Sequence, residues 1–149
     1  MTLTTTVQSA LVSLSRAALP SEACGFINPT GDVIALPNIS DRPTDTFEMR
    51  WSDVSPFHGA YGYALWHSHP RTRAALSLDD QQAMHLIQLP MIVVSLMSEL
   101  PIIRCFTWSA RGPIEVCSYR VPDSPLQKSH SVVEALQGTD RSVNEEDPG

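Results

Sequence analysis

The sequence lacks the features that mark several large classes of protein. Only three of its 149 residues are cysteine, which is too few for the disulfide framework of a small secreted domain. No apolar run approaches the roughly 18 residues of a membrane-spanning helix, and no basic segment precedes an apolar block at the N-terminus. A net charge of −6 does not favour nucleic-acid binding. We therefore expect a single globular domain in the reducing cytoplasm.

Negative charge is concentrated at the C-terminal end. Residues 122–149 contain six acidic and two basic residues, and so carry −4 of the net −6. Because this segment is also rich in serine and proline, we predict an acidic, disordered tail with one short helix near residues 131–137. The tail is either a solvated terminus or a docking segment for a partner. Residues 1–121 form the predicted folded domain.

Two histidines stand two positions apart on a predicted strand, His67 and His69. Side chains alternate along a strand, so both imidazoles point to the same face and can bind one metal ion. Asp80 follows eleven positions later and supplies a carboxylate from the next element. Two nitrogen ligands and one oxygen ligand suit zinc, and three protein ligands leave a fourth position open for water. The pattern predicts a catalytic zinc site.

Each part of this pattern also has a purely structural interpretation. An isolated His-x-His is weak evidence for metal binding. Ser77 and Asp80 form a Ser-x-x-Asp pattern, which is typical of a capping box at a helix start. The two roles are compatible, because the helix dipole keeps an aspartate in the first turn ionised, as a metal requires. Taken alone, Glu22 would be a solvated loop carboxylate.

The complete pattern is a glutamate, then His-Ser-His-Pro, six residues, and then Ser-x-x-Asp. It resembles the signature of the JAMM (MPN-plus) metalloprotease family over residues 5–121. The resemblance implies one zinc ion per chain, held by His67, His69 and Asp80. It also implies Glu22 as the general acid/base and Ser77 as the residue that stabilises the oxyanion. No signature position is substituted, which argues against a non-catalytic MPN scaffold.

Hydrophobic periodicity predicts the order of helices and strands in the domain. The predicted helices cover residues 7–18, a short segment from 52 or 53 to 57, and 78–88. The predicted strands cover residues 25–28, 32–38, 47–51, 61–69, 91–97, 102–108 and 114–121. This order predicts an α+β fold with a mixed sheet flanked by helices. The resemblance implies the same architecture, the curved sheet of the MPN/JAMM, cytidine-deaminase-like fold.

A few further side chains are candidates for contact with a substrate. Arg71 and Arg73 lie between the histidines and Asp80, in residues 70–76, where they could bind a substrate carboxylate or simply remain solvated. Trp51 is a candidate pocket wall or core residue. Cys24 adjoins Gly25 at a strand start and is expected to be a small buried residue rather than a nucleophile.

The resemblance implies a protein substrate with a ubiquitin-like C-terminal tail. Relatives cleave isopeptide bonds after the terminal Gly-Gly of ubiquitin-like proteins, and compact prokaryotic relatives trim sulfur-carrier proteins or belong to phage tail-assembly proteins. We expect removal of a ubiquitin-like modifier or of a C-terminal extension, with phage tail assembly as the alternative. A zinc deaminase is disfavoured, because the sequence has neither the His-x-Glu nor the Cys-x-x-Cys of that class.

Overall fold

One six-stranded mixed β-sheet organises the domain. The computed structural model describes residues 1–122. The helices are α1 (Thr5–Ala18), α2 (Trp51–Val54), which continues into a 3₁₀ turn (Ser55–Phe57), and α3 (Leu78–Ile87). The strands are β1 (Cys24–Ile27), β2 (Val33–Leu36), β3 (Ala64–His69), β4 (Met91–Ser95), β5 (Ile102–Ser109) and β6 (Gly112–Arg120). The sheet order is β2-β1-β3-β4-β5-β6, which confirms the predicted α+β class.

Strand β3 lies inside the sheet, between β1 and β4. It pairs antiparallel with β1 and parallel with β4. The parallel pair needs a crossover, and α3 supplies it. All six residues of β3 are buried, as expected for a strand covered on both faces.

The two faces of the sheet have separate hydrophobic cores. Helix α1 packs on one face, where Leu11 contacts a core that includes Trp66. Helix α3 covers the other face through Met84, which packs in a core that includes Leu65. Alternation along β3 therefore places Leu65 and the two histidines that follow it at positions 67 and 69 towards α3.

The β1–β2 hairpin brings two backbones unusually close at Gly25. A Cβ added there would lie 1.8 Å from the carbonyl oxygen of Ile34 and 2.9 Å from its carbon. The same oxygen accepts a hydrogen bond of 3.1 Å from the indole nitrogen of Trp66. Only glycine fits this position without moving β2.

Most predicted elements are present, and one strand prediction is wrong. Residues 47–50 form a loop, and Trp51 is the first residue of α2. The Glu48 carbonyl accepts from the Ile39 amide at 2.8 Å, but the Asn38 side chain binds the Glu48 amide and the Thr46 carbonyl, so no ladder forms. The third predicted helix ends one residue early, because Gln88 adopts a left-handed conformation with φ 60°.

The predicted acidic tail, including its short helix at residues 131–137, lies outside the described residues except for Pro122. Its separation from the domain at residue 121 stays a prediction. Among residues 1–122, no helix has the length and apolar character needed to cross a membrane.

Candidate metal centre

Strand β3 places two imidazoles side by side at its C-terminal end. The Nε2 atoms of His67 and His69 lie 3.0 Å apart. Both residues are buried, with 0% and 6% of their surface exposed. The predicted common face of the two histidines is confirmed.

The first turn of α3 brings Asp80 to the same point. Its Oδ1 lies 3.0 Å from Nε2 of His67, and its Oδ2 lies 3.3 Å from Nε2 of His69. A capping box fixes the carboxylate, because the Ser77 amide donates to Oδ2 at 2.9 Å and the Ser77 hydroxyl accepts from the Asp80 amide at 3.0 Å. The predicted capping box is confirmed, and it orients Asp80 towards both histidines.

The two rings are supported in different ways. Nδ1 of His69 lies 2.7 Å from the carbonyl oxygen of Arg73. A carbonyl only accepts, so Nδ1 carries a proton, and in the neutral imidazole Nε2 keeps its lone pair for a metal. His67 has no such partner within residues 1–122, since its buried Nδ1 makes no hydrogen bond. Its ring is instead stacked against Phe47, with centroids 4.5 Å apart.

Glu22 approaches the histidines from the segment just before β1. Its carboxylate oxygen and one ring nitrogen of each histidine lie within 4.8 Å of one another. The residue is 5% exposed. Glu22, His67 and His69 thus form a second possible ligand group, which shares the histidine pair with the group that contains Asp80.

The pKa values of the ionisable side chains at the site are shifted in different directions by their surroundings. Burial raises the pKa of Glu22 to about 7, against the opposing effect of His69. Burial also opposes the ionisation of Asp80, but the histidines and the Ser77 amide outweigh it and hold the pKa of Asp80 well below its usual range. Burial lowers the pKa of His67. For His69, burial is outweighed by its bonds to Asp80 and the Arg73 carbonyl, which raise its pKa.

The donor atoms of His67, His69 and Asp80 have the spacing of a metal site. Zinc bonds of 2.0 to 2.1 Å in a tetrahedron separate neighbouring ligand atoms by about 3.3 Å. The observed contacts are 3.0 Å between the two Nε2 atoms, 3.0 Å from Oδ1 of Asp80 to His67 and 3.3 Å from Oδ2 of Asp80 to His69. Each is close to that separation, although Asp80 presents a different oxygen to each histidine. An ionised carboxylate and two imidazole nitrogens, one with its tautomer fixed, also match the donor types that zinc prefers. These residues fit the metal that the sequence predicts.

A family model described as prokaryotic homologues of the JAB domain matches residues 4–109. The chain belongs to this family. The JAB family includes both metallopeptidases and inactive members. Membership therefore supports either a peptidase or a scaffold role, and the residues of the site have to distinguish between these two roles.

The solved structures that resemble this JAB domain include two that were determined in solution. A protein from Desulfitobacterium hafniense, known from a solution structure, is 25% identical with a TM-score of 0.56, over 76% of this chain and 88% of that one. A protein from Salinibacter ruber, also solved in solution, is 18% identical with a TM-score of 0.47, over 84% of this chain and 93% of that one. No curated protein matches the sequence significantly.

The JAB domain places the remaining predicted residues outside this buried group. Ser77 is exposed and takes part in the capping box. Arg71 is exposed, and its guanidinium lies 3.4 Å from Asp45. Arg73 is exposed and its backbone carbonyl contacts His69, and Trp51 is 52% exposed at the start of α2. Their predicted contacts with a substrate stay predictions.

Cys24 is fully buried at the start of β1. Burial raises the pKa of its thiol to about 12. The sulfur faces the carbonyl oxygen of Leu36 at 3.7 Å. A protonated, enclosed thiol agrees with the expectation that Cys24 is not a nucleophile.

Sequence reasoning assigned no role in the site to Asn38 and Phe47, which both support it. Asparagine is a frequent turn residue because its side-chain amide bonds to nearby backbone. Bonds from Asn38 to the backbone of the following loop could therefore have been suspected. Nothing in the sequence signals the contact of Phe47 with His67, since the two rings are brought together only by the fold.

Proposed function

We propose that this JAB domain is a zinc-dependent peptidase that removes a ubiquitin-like modifier or cuts the C-terminal extension of a ubiquitin-like or sulfur-carrier protein. The observation that carries the proposal is the buried group of His67, His69 and Asp80 with the Glu22 carboxylate beside it. An inactive scaffold has no need to bury an ionised carboxylate and a second carboxyl group against two imidazoles, because such burial is destabilising unless function retains it.

Different residues of the site would serve different steps of amide hydrolysis. Zinc held by the two histidines and Asp80 would supply Lewis acidity and activate water. Glu22 accepts a proton at its carboxylate as water adds to the amide carbon, and it returns that proton to the nitrogen when the C–N bond breaks. The raised pKa of about 7 in the metal-free protein suits a group that must both accept and donate. The Ser77 hydroxyl accepts from a backbone amide and keeps its own proton to donate to the developing oxyanion.

The enclosure of the site favours a thin, extended substrate. Each of the four central residues is at most 6% exposed: Glu22, His67, His69 and Asp80. A Gly-Gly tail has no side chains to clash with these walls, and glycine allows the closest backbone approach. A ubiquitin-like protein with such a tail should therefore reach these buried residues more easily than a bulky peptide does.

The test is cleavage of a ubiquitin-like protein fused through Gly-Gly to a C-terminal extension. We expect a cut directly after the second glycine, and sharply slower cleavage when valine replaces that glycine. Equal cutting of both fusions, or of unrelated unfolded peptides, would indicate a general peptidase. No cutting of any substrate by the zinc-loaded protein would favour the scaffold role.

Glu22→Gln separates binding from chemistry in the same assay. The substitution keeps size and hydrogen bonding but removes the proton acceptor, so turnover should fall about 100-fold or more while zinc stays bound. Elemental analysis measures the zinc. If the variant loses its zinc, Glu22 is a ligand, and the division of roles between Glu22 and Asp80 is wrong.

A further inference from the structure

The Asn38 side chain binds the backbone at both ends of the loop formed by residues 40–48. The Phe47 ring of this loop stacks on His67. The amide nitrogen of Asn38 donates to the carbonyl oxygens of Glu22 at 3.0 Å and of Thr46 at 3.0 Å, with Pro43 at 3.4 Å. One side chain thereby ties Glu22 to two points in the loop that follows β2.

The amide oxygen of Asn38 makes two further bonds, and we call the whole set of bonds the Asn38 clamp. It accepts from the Ser40 amide at 3.0 Å and from the Glu48 amide at 3.1 Å. Donors and acceptors of one planar group therefore fix both ends of residues 40–48, and no apolar side chain could replace them.

Glu22 depends on this loop because it lies outside the sheet ladder. Strand β1 begins at Cys24, and Ala23 is held from the other side by the Ser68 hydroxyl at 2.8 Å. The Glu22 amide donates to the Pro43 carbonyl at 2.7 Å. Its carbonyl accepts from Asn38. Both backbone groups of Glu22 are thus bound to the loop that Asn38 organises.

We propose that Asn38 is a positioning residue that aims the Glu22 carboxylate at the histidine pair without setting metal affinity. The proposal rests on the peptidase function proposed above. The three residues proposed as zinc ligands, His67, His69 and Asp80, lie on β3 and α3, and Asn38 makes no hydrogen bond to any of these three among the described residues. A displaced Glu22 should therefore lower turnover and leave the ligands in place.

The decisive variant is Asn38→Asp, which keeps the acceptor oxygen and removes the amide donor. Turnover of the Gly-Gly fusion should fall about 10- to 100-fold, since displacements near 1 Å at a catalytic group have effects of that size. Zinc affinity, measured by competition with a chelator, should change far less than the roughly 10- to 100-fold expected for a group that supports a ligand directly. Equal losses of zinc affinity and turnover would overturn the proposal.

Amide hydrogen exchange tests the positioning without any substrate. The Glu22 amide should exchange about tenfold faster or more in Asn38→Asp, because the loop that accepts its bond opens more often. The Val93 amide, in the interior strand β4, should keep its rate. Unchanged exchange at Glu22 would refute the positioning role. If the wild-type protein cuts no fusion, the proposed function fails, and exchange alone then decides the role of Asn38.

Two further variants control the experiment. Asn28→Asp removes an amide donor from the turn at the opposite end of the β1–β2 hairpin, where Asn28 bonds to Asp32 at 3.0 Å. It should leave turnover and Glu22 exchange unchanged. Asn38→Ala removes the clamp without adding charge, and should show the same separation of turnover from zinc affinity if Asn38→Asp does not fold.

Discussion

Gly25→Ala is expected to separate the first two strands of the sheet. The added Cβ would lie 1.8 Å from the Ile34 carbonyl oxygen, whereas real contacts of this kind exceed 3.0 Å. The obstacle is backbone on a paired strand, so no side-chain rotation relieves it. β2 must move by at least about 1.2 Å, the difference between those two distances.

The size of the effect follows from two contributions. Overpacking of a well-packed region costs about 1 to 3 kcal/mol. Moving the Ile34 carbonyl also weakens its bond to the Trp66 indole, which contributes about 1 kcal/mol. We expect a loss of about 2 to 4 kcal/mol, a large part of the about 5 to 15 kcal/mol that stabilises a typical domain.

Urea unfolding followed by tryptophan fluorescence measures this loss. Gly59→Ala is the matched control: its φ of 64° disfavours alanine, but the nearest atom lies 3.9 Å from the added Cβ. The control should lose only about 1 to 2 kcal/mol, the strain of a left-handed residue. A Gly25→Ala loss below about 0.5 kcal/mol, or no larger than that of the control, would refute the packing argument.

Three other predictions concern the metal, pH and thiol chemistry. The protein should bind about one zinc per chain, and Asp80→Ala should lose most of it while Asp79→Ala, which changes an exposed neighbour on α3, retains it; equal retention would remove Asp80 from the ligand set. The raised pKa of Glu22 means that the folded protein holds a proton which the unfolded chain releases, so without metal its stability should fall between about pH 4.5 and about pH 7. The metal-free Glu22→Gln variant should lack that part of the fall, and identical pH curves would contradict the shift. Iodoacetamide should modify the half-buried Cys117 before Cys24, and rapid labelling of Cys24 in mass spectrometry would show that its burial is wrong.

The sequence predicted the parts of the site that depend on local geometry. His67 and His69 share a face because strands alternate, and Ser77 with Asp80 forms a capping box because a helix start brings those positions together. The positions of the four central residues were inferred from spacing within a family pattern. Their catalytic roles stay predictions.

The parts that the sequence did not predict depend on contacts between distant segments. The Asn38 side chain bonds to Glu22, sixteen positions away in the sequence. The Phe47 ring stacks on His67, which lies on a different element, β3. The false strand prediction at residues 47–51 has the same origin, because apolar residues there suggested a ladder partner. In the fold, the half-buried Phe47 ring packs against the core beneath α3 and its backbone remains outside the sheet. Periodicity cannot distinguish a half-buried loop residue from a strand residue.

The bond from His69 to the Arg73 carbonyl has a consequence for how the site can diversify. Every amino acid at position 73 presents the same carbonyl, so the tautomer of His69 does not depend on which side chain stands there. The exposed side chains of Arg71 and Arg73 can therefore change freely over evolutionary time, or in a designed library, while the histidine keeps its orientation. The carbonyl that orients His69 and the side chains that are predicted to contact a substrate are thus different atoms of the same loop.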